Sequence, residues 1–346
     1  MNQLFLLPIP LLEWYHENAR VLPWRTDPTP YRVLVSELML QQTRVTAVLG
    51  YFDRFLDAFP TPVELAAAPE DVLMKLWQGL GYYSRARNLQ KAARQIMDTF
   101  GGAFPSSYTD IRSLSGVGDY TAAAISSIAF GLPIPAVDGN LLRVAARITG
   151  DDGDITTPAM KKKITAALQE VIPLDFPGAF NQAMMDLGAT VCLPNGAPVC
   201  ERCPARDFCE AYRTDRTASL PVRAAKKSRR VEARLVFLIF SRGRVALRRR
   251  PPKGLLAGLW EFPCEPVSNA DPLEDWGITP SSSDFGGTAK HIFTHVEWHM
   301  TARVVQTQEE ALPSGWIWAD EAALIGEYPI PSAFDGFSHI LKRYLT

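Results

Sequence analysis

Four cysteines, Cys192, Cys200, Cys203 and Cys209, fall within eighteen residues, with seven, two and five residues between successive members. Thiolates this close can surround one metal centre, and their softness restricts that centre to zinc, iron–sulfur or copper(I). A segment of this kind folds as a small module pinned by its metal. Residues 180–188 read as a helix that delivers Cys192, and a loop holding Pro194, Gly196 and Pro198 leads to the other three. Spacing alone does not separate a four-thiolate zinc site from a cubane cluster. Cys264 stands apart and is expected to be a partly buried free thiol.

At 346 residues the chain has room for two or three domains, and its formal net charge is −1. That balance excludes a polybasic tail binder, but a local basic patch is all that nucleic acid needs. The apolar run over residues 4–12 is short, is broken by Pro8 and Pro10, and follows no basic segment. It reads as neither a signal peptide nor a membrane span. The expectation is a cytoplasmic protein with no membrane partner, in a reducing compartment where cysteines bind metal rather than form disulfides.

To about Tyr212 the pattern is helical, with apolar residues at helix spacing over 33–49, 69–76, 84–100, 121–130 and 141–149. Residues 213–232 are poor in apolar side chains, and Arg223, Lys226, Lys227, Arg229 and Arg230 make a basic linker able to brush a phosphate backbone. Beyond Arg234 the texture turns to strands. Residues 235–240 read as a buried strand, 244–248 as its hairpin partner turned by Gly243, 298–305 and 316–318 as further strands, and 332–344 as a closing helix.

Three motifs carry chemistry. Leu114-Ser-Gly-Val-Gly-Asp-Tyr-Thr-Ala fits a hairpin between helices. Gly116 and Gly118 would turn the backbone with positive φ, and the helix starting near Asp119 would aim its N–H groups at an anion. With Leu114, Tyr120, Thr121 and Ala122 around it, this is the helix-hairpin-helix pattern, which binds DNA backbone without reading sequence. Asp138, in Val137-Asp-Gly-Asn, heads a helix and is either a cap or a carboxylate beside a bound sugar. Glu37 interrupts a nearly continuous apolar helix. A carboxyl so placed either pairs with an arginine, such as Arg32 or Arg44, or has its pKa pushed up, as a general acid near neutral pH requires.

Leu22-Pro-Trp-Arg, Ser36-Glu-Leu-Met-Leu-Gln-Gln-Thr, Gly79-Leu-Gly-Tyr-Tyr-Ser-Arg-Ala-Arg-Asn-Leu, Leu114-Ser-Gly-Val-Gly, Val137-Asp-Gly-Asn and the four cysteines occur in one order along the chain. Together they resemble the endonuclease III superfamily of base-excision glycosylases, and within it the adenine DNA glycosylases, the MutY family. The resemblance covers nearly the whole chain. It implies a mainly α N-terminal region, with a helix-hairpin-helix six-helix barrel over 23–131 and an iron–sulfur module from 1–22 with 132–214. A basic linker over 215–232 and an α/β Nudix-like lesion-recognition domain over 233–346 would follow. The implied partner is duplex DNA with adenine opposite 8-oxoguanine or guanine, bound by a monomer, and the implied cofactor is a [4Fe–4S] cluster on Cys192, Cys200, Cys203 and Cys209.

The resemblance also implies roles. Glu37 would protonate a flipped adenine and Asp138 would stabilise an oxocarbenium-like sugar, with Asn140 orienting the groups and Tyr120 lining the sugar side. Trp24 and Arg25 would contact the base. Gln42 and Tyr82 would fill the disrupted stack, and Leu40, Gln41 and Thr43 would lie at its edge. Gly116, Val117 and Gly118 would hold backbone, and Phe293, Thr294 and His295 would read 8-oxoguanine.

Several positions depart from the family pattern. Where strand-cleaving relatives place a lysine, this chain has Asp119-Tyr120, which points to a monofunctional glycosylase. The first cysteine spacing is seven residues where six is expected, and Thr294 stands where serine is expected. No Arg-Glu-x-x-Glu-Glu element follows residues 254–263, so nucleotide hydrolysis is not expected there. Two other readings stay open: an endonuclease III-like enzyme acting on oxidised pyrimidines, and a non-catalytic DNA-binding protein of the same fold.

Overall fold

The structure, a computed structural model, describes residues 2–224, 228–268 and 271–345. Lys226 and Lys227 of the basic stretch lie outside the described residues. The chain divides into two compact units, one of residues 1–67 with 87–226, the other of 68–86 with 227–346. None of the described helices is long and apolar enough to cross a membrane.

The helices run α1 (Pro8–Asn18), α2 (Pro23–Thr26), α3 (Pro30–Leu40), α4 (Val45–Ala58), α5 (Pro62–Ala67), α6 (Glu70–Trp77), α7 (Ser84–Thr99), α8 (Tyr108–Ser113) and α9 (Asp119–Phe130), followed by α10 (Gly139–Thr149), α11 (Pro158–Gln169), α12 (Pro177–Thr190) and α13 (Glu210–Arg213). Proline opens six of them, where its missing N–H costs nothing. Pro8 and Pro10 therefore start α1 rather than break it. In the first unit one apolar core joins Leu4, Leu7 and Leu11 to Leu141, Val144, Phe180, Leu187 and Leu220.

The periodicity over 33–49 predicts one helix, but the chain breaks it. α3 stops at Leu40, Gln42 takes a left-handed φ of 56°, and α4 resumes at Val45. The polar run Gln41-Gln42-Thr43-Arg44 offers no apolar face to bury, and the turn carries its side chains to the end of α3.

The second unit is built on a mixed sheet of β1 (Arg230–Ser241), β2 (Arg244–Arg249), β3 (Trp260–Glu261), β4 (Cys264–Pro266), β5 (Pro280–Ile292), β6 (Val296–Thr307) and β7 (Trp316–Ala319). The order is β3-β2-β1-β6-β5, with β4 on β1 and β7 on β2. β1 and β6 run parallel, Arg230 opposite Val296 through Phe240 opposite Gln306. The β1–β2 turn places both Arg242 and Gly243 at positive φ, the mirror-image turn that matches strand twist. α14 (Glu321–Gly326) and α15 (Ser338–Leu345) close this unit, α15 preceded by a 3₁₀ turn over Ser332–Phe337.

Four strands differ from expectation, the short β3 and β4, which were not read as strands, and β1 and β5. β1 starts at Arg230, five residues ahead of the apolar run, because its backbone pairs with β6 whatever the side chains. β5 was not expected at all: Pro280-Ser-Ser-Ser-Asp-Phe-Gly-Gly lacks strand propensity, and its ladder with β6, shifted between Phe285 and Thr288, holds it in place.

Candidate active site

A cavity of about 500 Å³ opens in the first unit, and Glu37, Asp138, Asn140 and Tyr120 all line it. Trp24, Arg25, Leu40, Gln41, Gln42 and Thr43 line it too. The break after α3 is what turns Gln41, Gln42 and Thr43 into wall residues.

Glu37 is 6% exposed on α3. Burial pushes its carboxyl up to about 7; the Tyr120 hydroxyl beside it works the other way, Asp138 adds to the rise and Arg25 opposes it. Among the described residues no arginine pairs with it: Arg32 pairs instead with Asp27 at 2.9 Å, and Arg25 with Asp186.

Asp138 caps α10 and also lines the cavity. Its Oδ1 accepts from the Asn140 and Leu141 N–H groups at 2.8 and 2.9 Å, which starts α10. Its Oδ2 accepts from Asn140 Nδ2 at 2.8 Å. Burial raises the Asp138 pKa, against these three donors. Asn140 is itself fixed, because its Oδ1 accepts from Arg143 Nη2 at 2.9 Å. Arg143 also donates to the carbonyls of Gly188, at 2.6 Å, and Cys192, at 2.8 Å, tying this side of the cavity to α12.

The Tyr120 hydroxyl lies 3.8 Å from Met185 Sδ. Trp24 is 6% exposed and meets Phe52 edge-on at 5.4 Å, so it serves the core and the cavity wall together. Gln41 Nε2 donates to Thr121 Oγ1 at 3.5 Å.

Sequence reasoning missed one element of this wall. Asp186 on α12 is fully buried and holds both Arg20, at 2.6 Å, and Arg25, at 2.7 Å. A second Arg25 bond, Nη2 to Oδ1 at 2.8 Å, makes that pair bidentate. The signal was present: Asp186 interrupts Ala-Met-Met-Asp-Leu-Gly just as Glu37 interrupts its helix. Gln182 and Met185, one turn earlier and one residue before, also line the cavity.

The hairpin between α8 and α9 departs from expectation at one glycine. Gly116 has φ 77°, and a Cβ there would sit 2.6 Å from Asn88 Cβ. Gly118, at φ −90° and ψ 177°, is instead the extended N-cap of α9 and needs no left-handed freedom. Val117 between them is buried. Asp119 at the helix start pairs with Arg112 at 2.6 Å.

Tyr82, Phe293, Thr294 and His295 belong to the second unit. Tyr82 has φ 47°, and its hydroxyl shares a 2.6 Å hydrogen bond with Thr294 Oγ1. Thr294 and His295 are exposed at the β5–β6 turn, which the Phe293 N–H closes onto the Val296 carbonyl at 2.9 Å. The Phe293 ring turns inward onto Trp298, 4.9 Å away.

The four cysteines line a second, small cavity of the first unit with Val144, Leu187 and Val191. None of the four is in a disulfide. Burial pushes the Cys203 thiol up to about 12. Arg147 lies alongside, Nη1 3.3 Å from Cys192 Sγ. Among the described residues no three His, Cys, Asp or Glu side chains converge on one point as a single-ion site. Four soft donors around a small cavity fit a thiolate-ligated group.

Residues 35–173 match the family model of the HhH-GPD superfamily base excision DNA repair protein, and residues 235–338 match that of the NUDIX domain. The adenine DNA glycosylase of Mus musculus is 34% identical over 83% of this chain and 68% of its own length. That of Buchnera aphidicola subsp. Baizongia pistaciae is 36% identical over 73% of this chain and 72% of its own. A solved thermostable thymine-DNA glycosylase superposes with a TM-score of 0.57 at 28% identity, over 62% of this chain and 98% of that one. An endonuclease III solved with DNA, 24% identical, shares the fold with a TM-score of 0.52 over 61% and 97%. The identity spans both units and most of the relatives' length, and on that ground this chain belongs to the adenine DNA glycosylase family.

Proposed function

We propose that this protein is a monofunctional glycosylase that excises adenine opposite 8-oxoguanine or guanine in duplex DNA, the first step of base-excision repair. The observation that carries the reading is that Glu37 and Asp138, far apart in sequence, share one cavity: burial raises both carboxyl pKa values, that of Glu37 to about 7, and at Asp138 three N–H donors oppose the rise. A carboxyl able to give a proton near neutrality, beside a second one held by N–H donors, suits paired acid and charge-stabilising roles.

The glycosidic bond is inaccessible inside a stack, so the adenine enters the cavity flipped. Glu37, protonated in part near neutrality, gives its proton to N7. The electrons of the C1′–N9 bond then leave with a neutral base rather than an anion. Asp138 stabilises the cationic sugar, Asn140 keeps that carboxylate in place, and water adds at C1′ to leave an abasic site. Trp24 and Arg25 take the base side and Tyr120 the sugar side. Leu40, Gln41, Gln42 and Thr43 meet the gap in the duplex, with Tyr82 as a second wedge. With Asp119-Tyr120 in place of a lysine, no Schiff base forms and the strand stays intact.

The N–H groups around Gly116, Val117 and Gly118 hold a phosphate, without base readout. Thr294 and His295 read 8-oxoguanine; Phe293 supports their turn from within. A [4Fe–4S] cluster on Cys192, Cys200, Cys203 and Cys209 pins the loop carrying Arg202 and Arg206, and its contribution is structural. The four thiols line one small cavity, and the family resemblance favours an iron–sulfur cluster there over zinc.

Base release from a duplex bearing adenine opposite 8-oxoguanine, with a thymine-glycol duplex as control, tests the assignment. Release from the first alone is expected, and release only from thymine glycol would overturn the substrate. The purified protein should be yellow-brown; colourless protein with stoichiometric zinc would refute the cluster.

A further inference from the structure

Three of the four residues over 79–82 are left-handed: Gly79 at φ 98°, Gly81 at φ 68° and Tyr82 at φ 47°. Glycine takes such angles freely, but a tyrosine there is strained and stays only while its surroundings hold it. Tyr82 is also 43% exposed, so packing on its outer side cannot do the holding.

Arg85 does. It stands in the first turn of α7, the end at which a helix disfavours a cation, so its placement there needs another reason. The residue is 5% exposed, its side chain drawn back under the loop. Its Nη2 donates to the carbonyls of Leu80 and Gly81, both at 3.0 Å, and its Nε to the Tyr82 carbonyl at 3.4 Å. The Arg85 backbone N–H donates to that same Tyr82 carbonyl at 2.9 Å. The guanidinium also lies over two rings, 5.4 Å from the centroids of both Trp77 and Tyr82. Buried Trp77 completes the frame, its Nε1 donating to the Gly81 carbonyl at 3.1 Å. Burial pushes the guanidinium down to about 10, so it is still a cation at neutral pH and attracts both rings.

A planar group with donors in fixed directions suits this task, and a single ammonium does not span three successive carbonyls. The hydroxyl end of Tyr82 meets Thr294, and the ring face meets Arg85. The ring is therefore ordered before any duplex arrives, which spares binding the entropy of ordering it. Arg85 is itself too buried to meet the duplex.

We infer that Arg85 is the positioning residue of the Tyr82 wedge: it clasps residues 80–82 from beneath, keeps them left-handed and so presents the ring to the duplex. The inference rests on the wedge role proposed for Tyr82.

The test follows stack opening in a duplex that is not cleaved. Adenosine bearing fluorine at C2′, which disfavours a cationic sugar and keeps the base in place, stands opposite 8-oxoguanine. A fluorescent purine beside the mispair brightens when the stack opens. The full chain is compared as wild type, Tyr82→Leu, Arg85→Met and the double variant, each also titrated with a fully paired duplex. Tyr82→Leu should lose most of the wild-type rise, and Arg85→Met should match it. Arg85→Met should also bind the mispair about tenfold more weakly, the factor for re-ordering a freed side chain, and bind paired duplex as wild type does. The double variant should fall no further, because Arg85 acts through Tyr82. Additive losses, a wild-type rise in Arg85→Met, or an equal loss on paired duplex each overturn the inference and leave the wedge standing. A wild-type rise in Tyr82→Leu removes the wedge and this role of Arg85 with it, so the variant that stays silent tells the two failures apart. If Arg85→Met does not fold, Tyr82→Phe decides. Clasped from beneath, it should keep the rise without the Thr294 bond; a fall to the Tyr82→Leu level would show that Thr294 and not Arg85 places the ring.

Discussion

Replacing Asp186 by asparagine should report on stability and on acid chemistry at once. The carboxylate is fully buried and accepts from the Arg20 N–H at 3.1 Å, from Arg20 Nε at 2.8 Å and from two nitrogens of Arg25 at 2.7 and 2.8 Å. Asparagine keeps the shape, so no cavity term enters, but it leaves two guanidiniums facing an amide. Breaking a buried pair from one side costs about 3–5 kcal/mol. Arg20 and Arg25 keep 28% and 13% of their side-chain exposure, so water recovers part of that loss. About 2–3 kcal/mol is expected, a drop in Tm of roughly 5–10 °C at 2–4 °C per kcal/mol for a unit of this size. Burial raises the Asp186 pKa but Arg25 and Arg20 outweigh it, and the net shift is downward. The pair's contribution is therefore complete above about pH 4, the ordinary carboxylate value, and fades as pH falls through the lower folded value. The variant should lose that acid-side dependence. Arg25, freed of its partner, would also pull harder on Glu37, whose pKa it already lowers. The alkaline limb of the base-release profile should move down by up to about one unit. Thermal unfolding across pH and single-turnover base release measure both effects. A variant with wild-type Tm at pH 7 and an unmoved alkaline limb would show that Asp186 neither holds the wall nor shields the acid.

Glu37→Gln should abolish adenine release yet stabilise the fold at high pH. A carboxyl raised from 4.5 to about 7 contributes fully below the lower value and loses that contribution as pH rises through the upper one, about 3 kcal/mol at 1.36 kcal/mol per unit. Denaturant melts at pH 5 and pH 8 should show the variant gaining on wild type; equal stabilities at both would refute the raised pKa. Asp138→Asn should also abolish release with stability changed by less than about 1 kcal/mol, since asparagine caps a helix as well as aspartate; near-wild-type single-turnover rates would strip Asp138 of its role. Gly116→Ala should cost about 1–3 kcal/mol and weaken duplex binding, because φ 77° and the Asn88 Cβ both oppose a side chain, while Gly118→Ala should be close to neutral. Equal losses at the two glycines, read by thermal melts and by duplex titration, would contradict the backbone geometry.

The site was legible where one residue broke a local rule. Glu37 stood out because a carboxyl in an apolar helix needs a reason, and the cysteines because their crowding allows few explanations. Asp186 broke the same rule and went unread because a carboxylate's partners, Arg20 and Arg25, lie on the other side of the chain's length and only packing brings them together. Gly118 misled in the opposite direction: Gly-x-Gly names two permissive residues but does not say which one the turn strains. β5 could not be read at all, since its strand character comes from β6 and not from its own serines and glycines.

The break between α3 and α4 shows how far a wrong expectation can still point to the right place. Periodicity ran straight through residues 41–44, because two glutamines and a threonine are neutral to helix propensity. A continuous helix would have spread Gln41, Gln42 and Thr43 around its circumference, with Thr43 pointing well away from Gln41. The left-handed residue at Gln42 gathers the three onto one wall beside Glu37. A non-glycine residue at positive φ costs about 1–3 kcal/mol and persists only when its surroundings demand it. On the proposed function, the demand is that the helix bearing Glu37 end where the base would enter, and Gln42→Gly offers the check. Glycine relieves the left-handed strain but removes the side chain assigned to the gap in the duplex. Thermal stability should hold or rise slightly while affinity for an adenine-containing mispair falls. A variant that keeps its affinity would leave the turn with a purely structural purpose and remove Gln42 from the DNA-contacting wall.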